Sequence, residues 1–262
     1  MNINFWKYQG NGNDFIIIDE NSDNLQLTTK QVMKLCDRHF GIGADGLMLI
    51  KKSELADFKM IYYNADGNLA SMCGNGGRCI AMHAYLMKIA AKEMKFEAYD
   101  GIHNAIIEEE LIAGKKLLIS LEMTDVVGVD KSGKYYFLDT GSPHYVEFVD
   151  NLSEMNVVKE GRATRFSERF SPEGTNVNFV NLKGNRLFVR TYERGVEDET
   201  LSCGTGVTAS AIAAFLETGK KNFHIQTMGG DFQVSFEESE GVFNSICLKG
   251  PAELVFNGVV DL

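Results

Sequence analysis

In short runs along the 262-residue chain, apolar positions alternate with polar ones. That is the period of a strand with one buried face. Ile3-Asn-Phe-Trp-Lys-Tyr8 is the first such run. The turn-rich segment Gln9-Gly-Asn-Gly-Asn-Asp14 reads as a loop, and Phe15-Ile-Ile-Ile-Asp19 resumes as a strand. Residues 46–50, 58–63, 96–99, 103–107 and 117–121 read the same way, as do 134–138, 145–149, 186–192, 223–227, 232–236 and 245–248 in the second half. Helical periodicity appears in three places. Thr28 or Thr29 caps a first helix whose apolar face carries Val32, Leu35, Cys36 and His39 or Phe40, and which stops at Gly41. A longer helix follows Cys73 to about Met94, and another runs from Val207 to about Leu216.

This last helix is apolar or small on every side, so it must be buried all round. The short strands of the same half are its only available wrapping. The expected fold is therefore α+β, with two halves that each curl a mainly antiparallel sheet, barrel-like, around a central helix. A doubly wound parallel sheet would need helices alternating with strands throughout, and there are too few.

The two halves repeat each other. Cys73-Gly-Asn-Gly-Gly-Arg-Cys79 opens one long helix and Cys203-Gly-Thr-Gly-Val-Thr-Ala209 opens the other. Cys73, Gly74, Gly76, Ala81, Ala84, Tyr85 and Leu86 align with Cys203, Gly204, Gly206, Ala211, Ala214, Phe215 and Leu216, about half the chain away. The duplication places the domains at 1–118 and 119–251.

Composition narrows the class. Hydrophobic content of 44% with 24% charged residues is that of an ordinary globular protein. A net charge of −10 argues against nucleic acid or an anionic membrane as main partner. The first residues lack a basic region followed by an apolar run, so no secretory leader is expected and the chain reads as cytoplasmic. Five cysteines make a disulfide framework unlikely to be the organising device. Cys36, Cys79 and Cys247 read as small hydrophobes.

Cys73 and Cys203 read differently. Glycines let backbone approach a ligand closely. A helix start presents unpaired N–H groups, attracts anions and favours thiolate over thiol. Two such starts facing each other would hold one carboxylate between two thiols. Near them, His144 lies in a loop matching that of Asn11, and Glu193-Arg194 follows a strand where Asn64 does in the first half. The acidic residues Glu197 to Glu199 read as a solvated run. Gly41-Ile-Gly-Ala-Asp-Gly46 has dinucleotide-site spacing but follows a helix and precedes a strand, the reverse of the required context. Cys73 and Cys79 are spaced too widely for a zinc pair, so no metal is expected.

Taken in order, Gly10-Asn-Gly-Asn-Asp-Phe15, Gly41-Ile-Gly-Ala-Asp-Gly46, Asn64-Ala-Asp-Gly67, Met72-Cys-Gly-Asn-Gly-Gly-Arg78, Gly141-Ser-Pro-His144, Asn176-Val-Asn-Phe179, Tyr192-Glu-Arg-Gly195 and Ser202-Cys-Gly-Thr-Gly206 closely resemble the motifs of the diaminopimelate epimerases. The resemblance spans nearly the whole chain. It implies interconversion of LL- and meso-diaminopimelate in lysine and peptidoglycan precursor synthesis. It also implies an active site in the cleft between the halves, a final strand, 252–262, that returns to the first half, and a homodimer that uses no pyridoxal phosphate, metal or nucleotide.

By resemblance, Cys73 and Cys203 are the acid/base pair, and Gly74, Asn75, Gly204 and Thr205 hold the carboxylate at the reacting carbon. Asn64, Asn176 and Arg194 read the distal group, and Asn11, His144 and Glu193 line the catalytic end. Ala44 and Ser142 depart from members that carry glutamine and asparagine there. The competing readings are a proline, hydroxyproline or histidine racemase on the same scaffold, a phenazine-pathway type isomerase, and a non-catalytic amino-acid binding module.

Overall fold

The computed structural model describes residues 2–20 and 25–262. The chain forms two compact units, Met1–Leu121 with Gly250–Leu262, and Glu122–Lys249.

In the first unit, strands β1 (Asn2–Gly10), β2 (Asn13–Asp19), β3 (Gly46–Lys51), β4 (Phe58–Asn64), β5 (Glu93–Ala98), β6 (Gly101–Ile112) and β7 (Lys116–Glu122) pair in chain order. The long last strand, β17 (Val242–Asp261), closes the ring. Its final residues pair with β1 from Asn2↔Asp261 to Gln9↔Glu253, and Gly250–Glu253 pair with β7. Inside the ring sits α2 (Gly74–Leu86), which packs against β1, β2 and β6. Outside lies α1 (Thr29–Cys36). Residues 15–18 of β2 and 47–50 of β3 are buried on both faces because they are sandwiched. Ile16, Ile18, Leu47 and Leu49 meet Val32, Leu35 and Cys36 of α1, while Phe15 and Met48 approach Gly76 of α2.

The second unit repeats the plan with β8 (Val126–Val127), β9 (Asp130–Ser132), β10 (Tyr135–Asp139), β11 (Pro143–Phe148), β12 (Asn176–Lys183), β13 (Arg186–Glu193), β14 (Asp198–Thr200), β15 (Asn222–Thr227), β16 (Gly230–Ser239) and the first part of β17. The sheet runs β8–β17–β16–β15–β13–β12–β11–β10–β9, with β14 hydrogen-bonded beside β13. It curls around α4 (Gly204–Thr218), which contacts β10 to β13, β15 and β16. The parallel pairs recur at matching places: β2–β3 and β4–β5 in one unit, β11–β12 and β13–β15 in the other. On the outside, α3 (Val157–Arg165) takes the place of α1. Gly161 of α3 lies so close to Tyr192 that a Cβ there would stand 2.4 Å from the Tyr192 Cβ.

Several elements differ from the sequence expectations for local reasons. The first helix ends at Cys36, not Gly41. The Asp37 carboxylate accepts from the backbone N–H groups of His39 and Phe40 at 2.7 Å each and turns the chain, which leaves Phe40 exposed. The second helix ends at Leu86, and Met94 belongs to β5. Lys88 takes a positive φ of 59° and the N–H groups of Ile89 and Ala90 fold back onto the Ala84 carbonyl. The loop after β1 shrinks to the two-residue tip Asn11-Gly12, both with positive φ, because the sheet ladder continues to Gly10↔Asn13. His144 is a strand residue of β11 rather than part of a loop.

The acidic run is no solvated patch. Glu199 holds Arg190 by two bonds of 2.6 and 2.7 Å, and Glu197 accepts from the Tyr192 hydroxyl at 3.1 Å. Among the described residues, no helix is long and apolar enough to cross a membrane.

Candidate active site

Each cysteine of the repeated motif is the N-cap of its central helix. Cys73 precedes α2 with φ −103° and ψ 145°, and its sulfur accepts from the Gly76 N–H at 3.2 Å. Cys203 precedes α4 with φ −129° and ψ 114°, and accepts from the Gly206 N–H at 3.4 Å. Extended backbone at the cap turns the side chain back over the first turn, where the helix leaves its N–H groups unpaired. A sulfur in that position gains stability as thiolate. Cys73 is half-buried and Cys203 is buried.

The first unit builds its site on a buried arginine. Arg78 is fully enclosed in α2. It donates to Gly74 O at 3.1 Å, Asn75 Oδ1 at 2.8 Å, Asn11 Oδ1 at 2.9 Å and, more distantly, Pro251 O at 3.4 Å. It thereby clamps three expected substrate-contacting residues together: the hairpin tip Asn11 and the first two residues of α2, Gly74 and Asn75. Burial pushes the guanidinium pKa down to about 10, against the pull of Cys79 and Cys73.

Asn13 completes this half. It faces Cys73 Sγ through Oδ1 at 3.9 Å, and the same oxygen receives Asn75 Nδ2 at 3.4 Å. Its own Nδ2 is held by Asp45 at 2.6 Å. Asp45 and Asp14 share Arg38, and buried Lys7 pairs with Asp14 at 2.6 Å. Burial alone would raise the Asp14 pKa, yet hydrogen bonds from Arg38 and Lys7 hold it at about 2. Asn64 ends β4 on an exposed turn to Gly67 and Asn68, and among the described residues no side-chain hydrogen bond joins it to this network.

The second unit builds its site on a buried histidine. His144, at the start of β11, is fully buried, with its Nδ1 3.0 Å from Asn178 Nδ2 and its Nε2 3.1 Å from Ser142 Oγ. Burial first, and then the Arg194 charge, pushes its pKa down to about 3. Ser142 also meets Thr205 Oγ1 at 3.4 Å and Asn176 Nδ2 at 3.2 Å, and Thr205 Oγ1 lies 3.3 Å from Cys203 Sγ. Asn176 Oδ1 accepts from the backbone N–H of Arg194 at 2.9 Å. Glu193 is the last residue of β13 and pairs with Asp198. So His144 and Asn176 meet at Ser142, which leads through Thr205 to Cys203, while the Arg194 guanidinium donates to Glu173 O at 3.3 Å.

Arg78, Asn13 and Asn178 have no role in the sequence reading. Arg78 was detectable as a cation inside a helix with no exposed face, where a charge must be paired. Asn178 was detectable from strand alternation, which puts it on the same face of β12 as Asn176.

The glycines here are steric requirements. A Cβ on Gly206 would stand 2.4 Å from Asn178 Oδ1 and 3.3 Å from Cys203 Sγ. Gly206→Ala is expected to push Asn178 off His144 and to destabilise the protein by about 1–3 kcal/mol. The midpoint of urea unfolding measures this, and an unchanged midpoint would mean that the helix moves aside freely.

The arrangement can hold a small anion at either helix start and move protons through sulfur. Comparisons with known proteins identify the family. The sequence profile described as "Diaminopimelate epimerase" matches residues 5–126 and 136–255. The diaminopimelate epimerase of Flavobacterium psychrophilum is 49% identical, covering 98% of this chain and 100% of its own. That of Aquifex aeolicus is 40% identical, covering 98% and 97%. Among solved structures, a PhzF-family phenazine biosynthesis protein of Bacillus anthracis aligns with a TM-score of 0.77 at 16% identity over 100% of both chains. A hydroxyproline epimerase of Agrobacterium vitis, with bound trans-4-hydroxy-L-proline, aligns at 0.72 and 14% over 100% of this chain and 93% of that one. These two share the fold. With two glycine-led helices each capped by a cysteine, and relatives this similar over their full length, the chain belongs to the diaminopimelate epimerase family.

Proposed function

We propose that the protein is an amino-acid epimerase that interconverts LL- and meso-2,6-diaminopimelate by a two-thiol mechanism. The observation that carries the reading is the repeated cap: in each unit a cysteine sulfur accepts an N–H from the glycine three residues on.

Inverting a stereocentre by proton transfer needs a base on one face and an acid on the other. In this reading one thiolate removes the α-proton while the other thiol supplies a new one. The reverse reaction exchanges the roles. The carbanion beside the carboxylate would be stabilised by N–H groups of the two helix starts, at Gly74-Asn75 and Gly204-Thr205. Asn64, Asn176 and Arg194 would bind the distal amino-acid group, with Asn11, His144 and Glu193 at the catalytic end. No step is assigned to a cofactor. The working form is taken to be a homodimer in the cytoplasm, where thiols stay reduced.

Incubation in heavy water tests the reaction. Deuterium should enter the α-carbon of LL-diaminopimelate with formation of the meso isomer, and should not enter proline or histidine. Exchange with proline or histidine instead would reassign the substrate. Binding without any exchange would make the chain a non-catalytic module.

Oxidation gives a further expected result. Thiols on opposite sides of a small substrate should join on mild oxidation, with activity lost and then restored by dithiothreitol. Full activity after oxidation, with a mass unchanged by disulfide formation, would contradict the two-thiol reading.

A further inference from the structure

Two thiols that trade acid and base roles must start in opposite protonation states. Hydrogen bonds within the second unit decide the state of Cys203. Asn178 Nδ2 donates to Tyr145 O at 2.9 Å, an atom that only accepts, so the amide nitrogen lies on that side and its other hydrogen meets His144 Nδ1 at 3.0 Å. Nδ1 therefore accepts, and the neutral ring carries its proton on Nε2. Nε2–H donates to Ser142 Oγ at 3.1 Å. Asn176 Nδ2, oriented by the Pro143 carbonyl and the Arg194 N–H, donates to the same oxygen at 3.2 Å. With both acceptor positions occupied, the Ser142 hydroxyl hydrogen goes to Thr205 Oγ1 at 3.4 Å. The Thr205 hydrogen is then left for Cys203 Sγ at 3.3 Å. Every donor in the series points toward the sulfur.

Cys73 shares the helix-cap N–H bond, from Gly76 at 3.2 Å, but has a different side chain beside it. Its Sγ faces the amide oxygen of Asn13, because Asp45 holds the Asn13 nitrogen. An acceptor beside sulfur favours S–H; a hydroxyl donor beside sulfur favours the thiolate.

We propose that Ser142 is a positioning residue that aims the Thr205 hydroxyl at Cys203, making Cys203 the resting thiolate and Cys73 the resting thiol. The inference rests on the two-thiol reading above and adds the direction from which the cycle starts. The series acts as a fixed dipole, and no proton travels along it. Ser142 stands where some members carry asparagine, so the device belongs to chains with a hydroxyl at this place. The titratable and charged groups that face this series include His144 on β11, held neutral by burial, and Arg194 just after β13, whose charge reaches His144 and whose guanidinium donates to Glu173 O.

Alkylation by iodoacetamide, followed thiol by thiol with peptide mass spectrometry across pH, tests the proposal on the whole protein without substrate. In the wild type, Cys203 should alkylate with the lower pH midpoint. Ser142→Ala should raise the Cys203 midpoint by roughly one pH unit, the scale of one lost hydrogen bond to a charge. The Cys73 midpoint should stay in place. Thr205→Val should raise the Cys203 midpoint similarly, and Thr205→Ser should not. Ser142→Ala added to Thr205→Val should then shift it no further, because the two act in series. An unmoved Cys203 midpoint in Ser142→Ala, an equal shift at both thiols, or full additivity with Thr205→Val overturns the proposal. Because the readout needs no turnover, it is independent of the deuterium test, whose failure would remove the proposed reaction and leave these midpoints as measured.

Discussion

Alanine at Cys73 or at Cys203 is expected to abolish interconversion of the two diaminopimelate isomers, lowering kcat by about 10²–10⁴-fold or more. Each thiol serves as base in one direction and as acid in the other, so neither direction survives the loss of one. The fold should survive, since the change removes one sulfur from a helix cap. Loss of a side-chain cap costs about 0.5–2 kcal/mol. Circular dichroism and the unfolding midpoint verify this.

Deuterium exchange makes the prediction sharper. A variant with one thiol still has a base on one face of the α-carbon. It should therefore wash deuterium into one isomer without inverting it, and leave the other untouched. Cys73→Ala and Cys203→Ala should show opposite isomer preferences. Turnover within tenfold of wild type in either variant, or the same isomer exchanged by both, would refute the two-thiol scheme.

Removal of the buried guanidinium in Arg78→Met should be the most destabilising single change in the first unit. Methionine keeps the apolar stem and deletes the donors that Gly74 O, Asn75 Oδ1, Asn11 Oδ1 and Pro251 O now receive. A buried acceptor left unsatisfied costs about 1–3 kcal/mol, so partial relaxation of this set still predicts a net loss of about 3 kcal/mol. Arg78→Lys should lose less, because one ammonium reaches some of the four acceptors but not all. Urea unfolding measures both. The surviving folded fraction should bind substrate more weakly, since Asn11 and Asn75 lose their common anchor, and KM should rise more than kcat falls. An Arg78→Met protein as stable as wild type would mean that water replaces the guanidinium without cost.

Much of this was visible in the residues themselves. The repeat at Cys73 and Cys203, the all-apolar helix after Gly206 and the alternation of residues 3–8 and 58–63 were enough for two strand-wrapped helices with a thiol at each start. Local hydrogen bonding escaped the pattern. Nothing in the apolar spacing after Cys36 announces that the Asp37 carboxylate will stop the helix. Apolar residues at 89 and 90 continue a helical face on paper, while Lys88 breaks it with a left-handed turn. The helix α3 went unseen because it buries little beyond Val157 and Gly161. The Cys203 network was half legible. His144 and Thr205 stood in recognisable motifs, whereas the tautomer of the ring depends on the Tyr145 carbonyl, which no side-chain pattern records.

The ring of the first unit has a consequence for biosynthesis. Its opening strand finds one neighbour in β2 almost at once, but the other neighbour, β17, follows the whole second unit in the chain. A nascent chain that has emerged only through β7 carries two unpaired sheet edges, β1 and β7, of the kind that recruit other strands. Completion of the first unit must wait until the second unit has been synthesised, so its slow, long-range closure invites chaperone attention during synthesis, and removal of residues 250–262 should yield insoluble material.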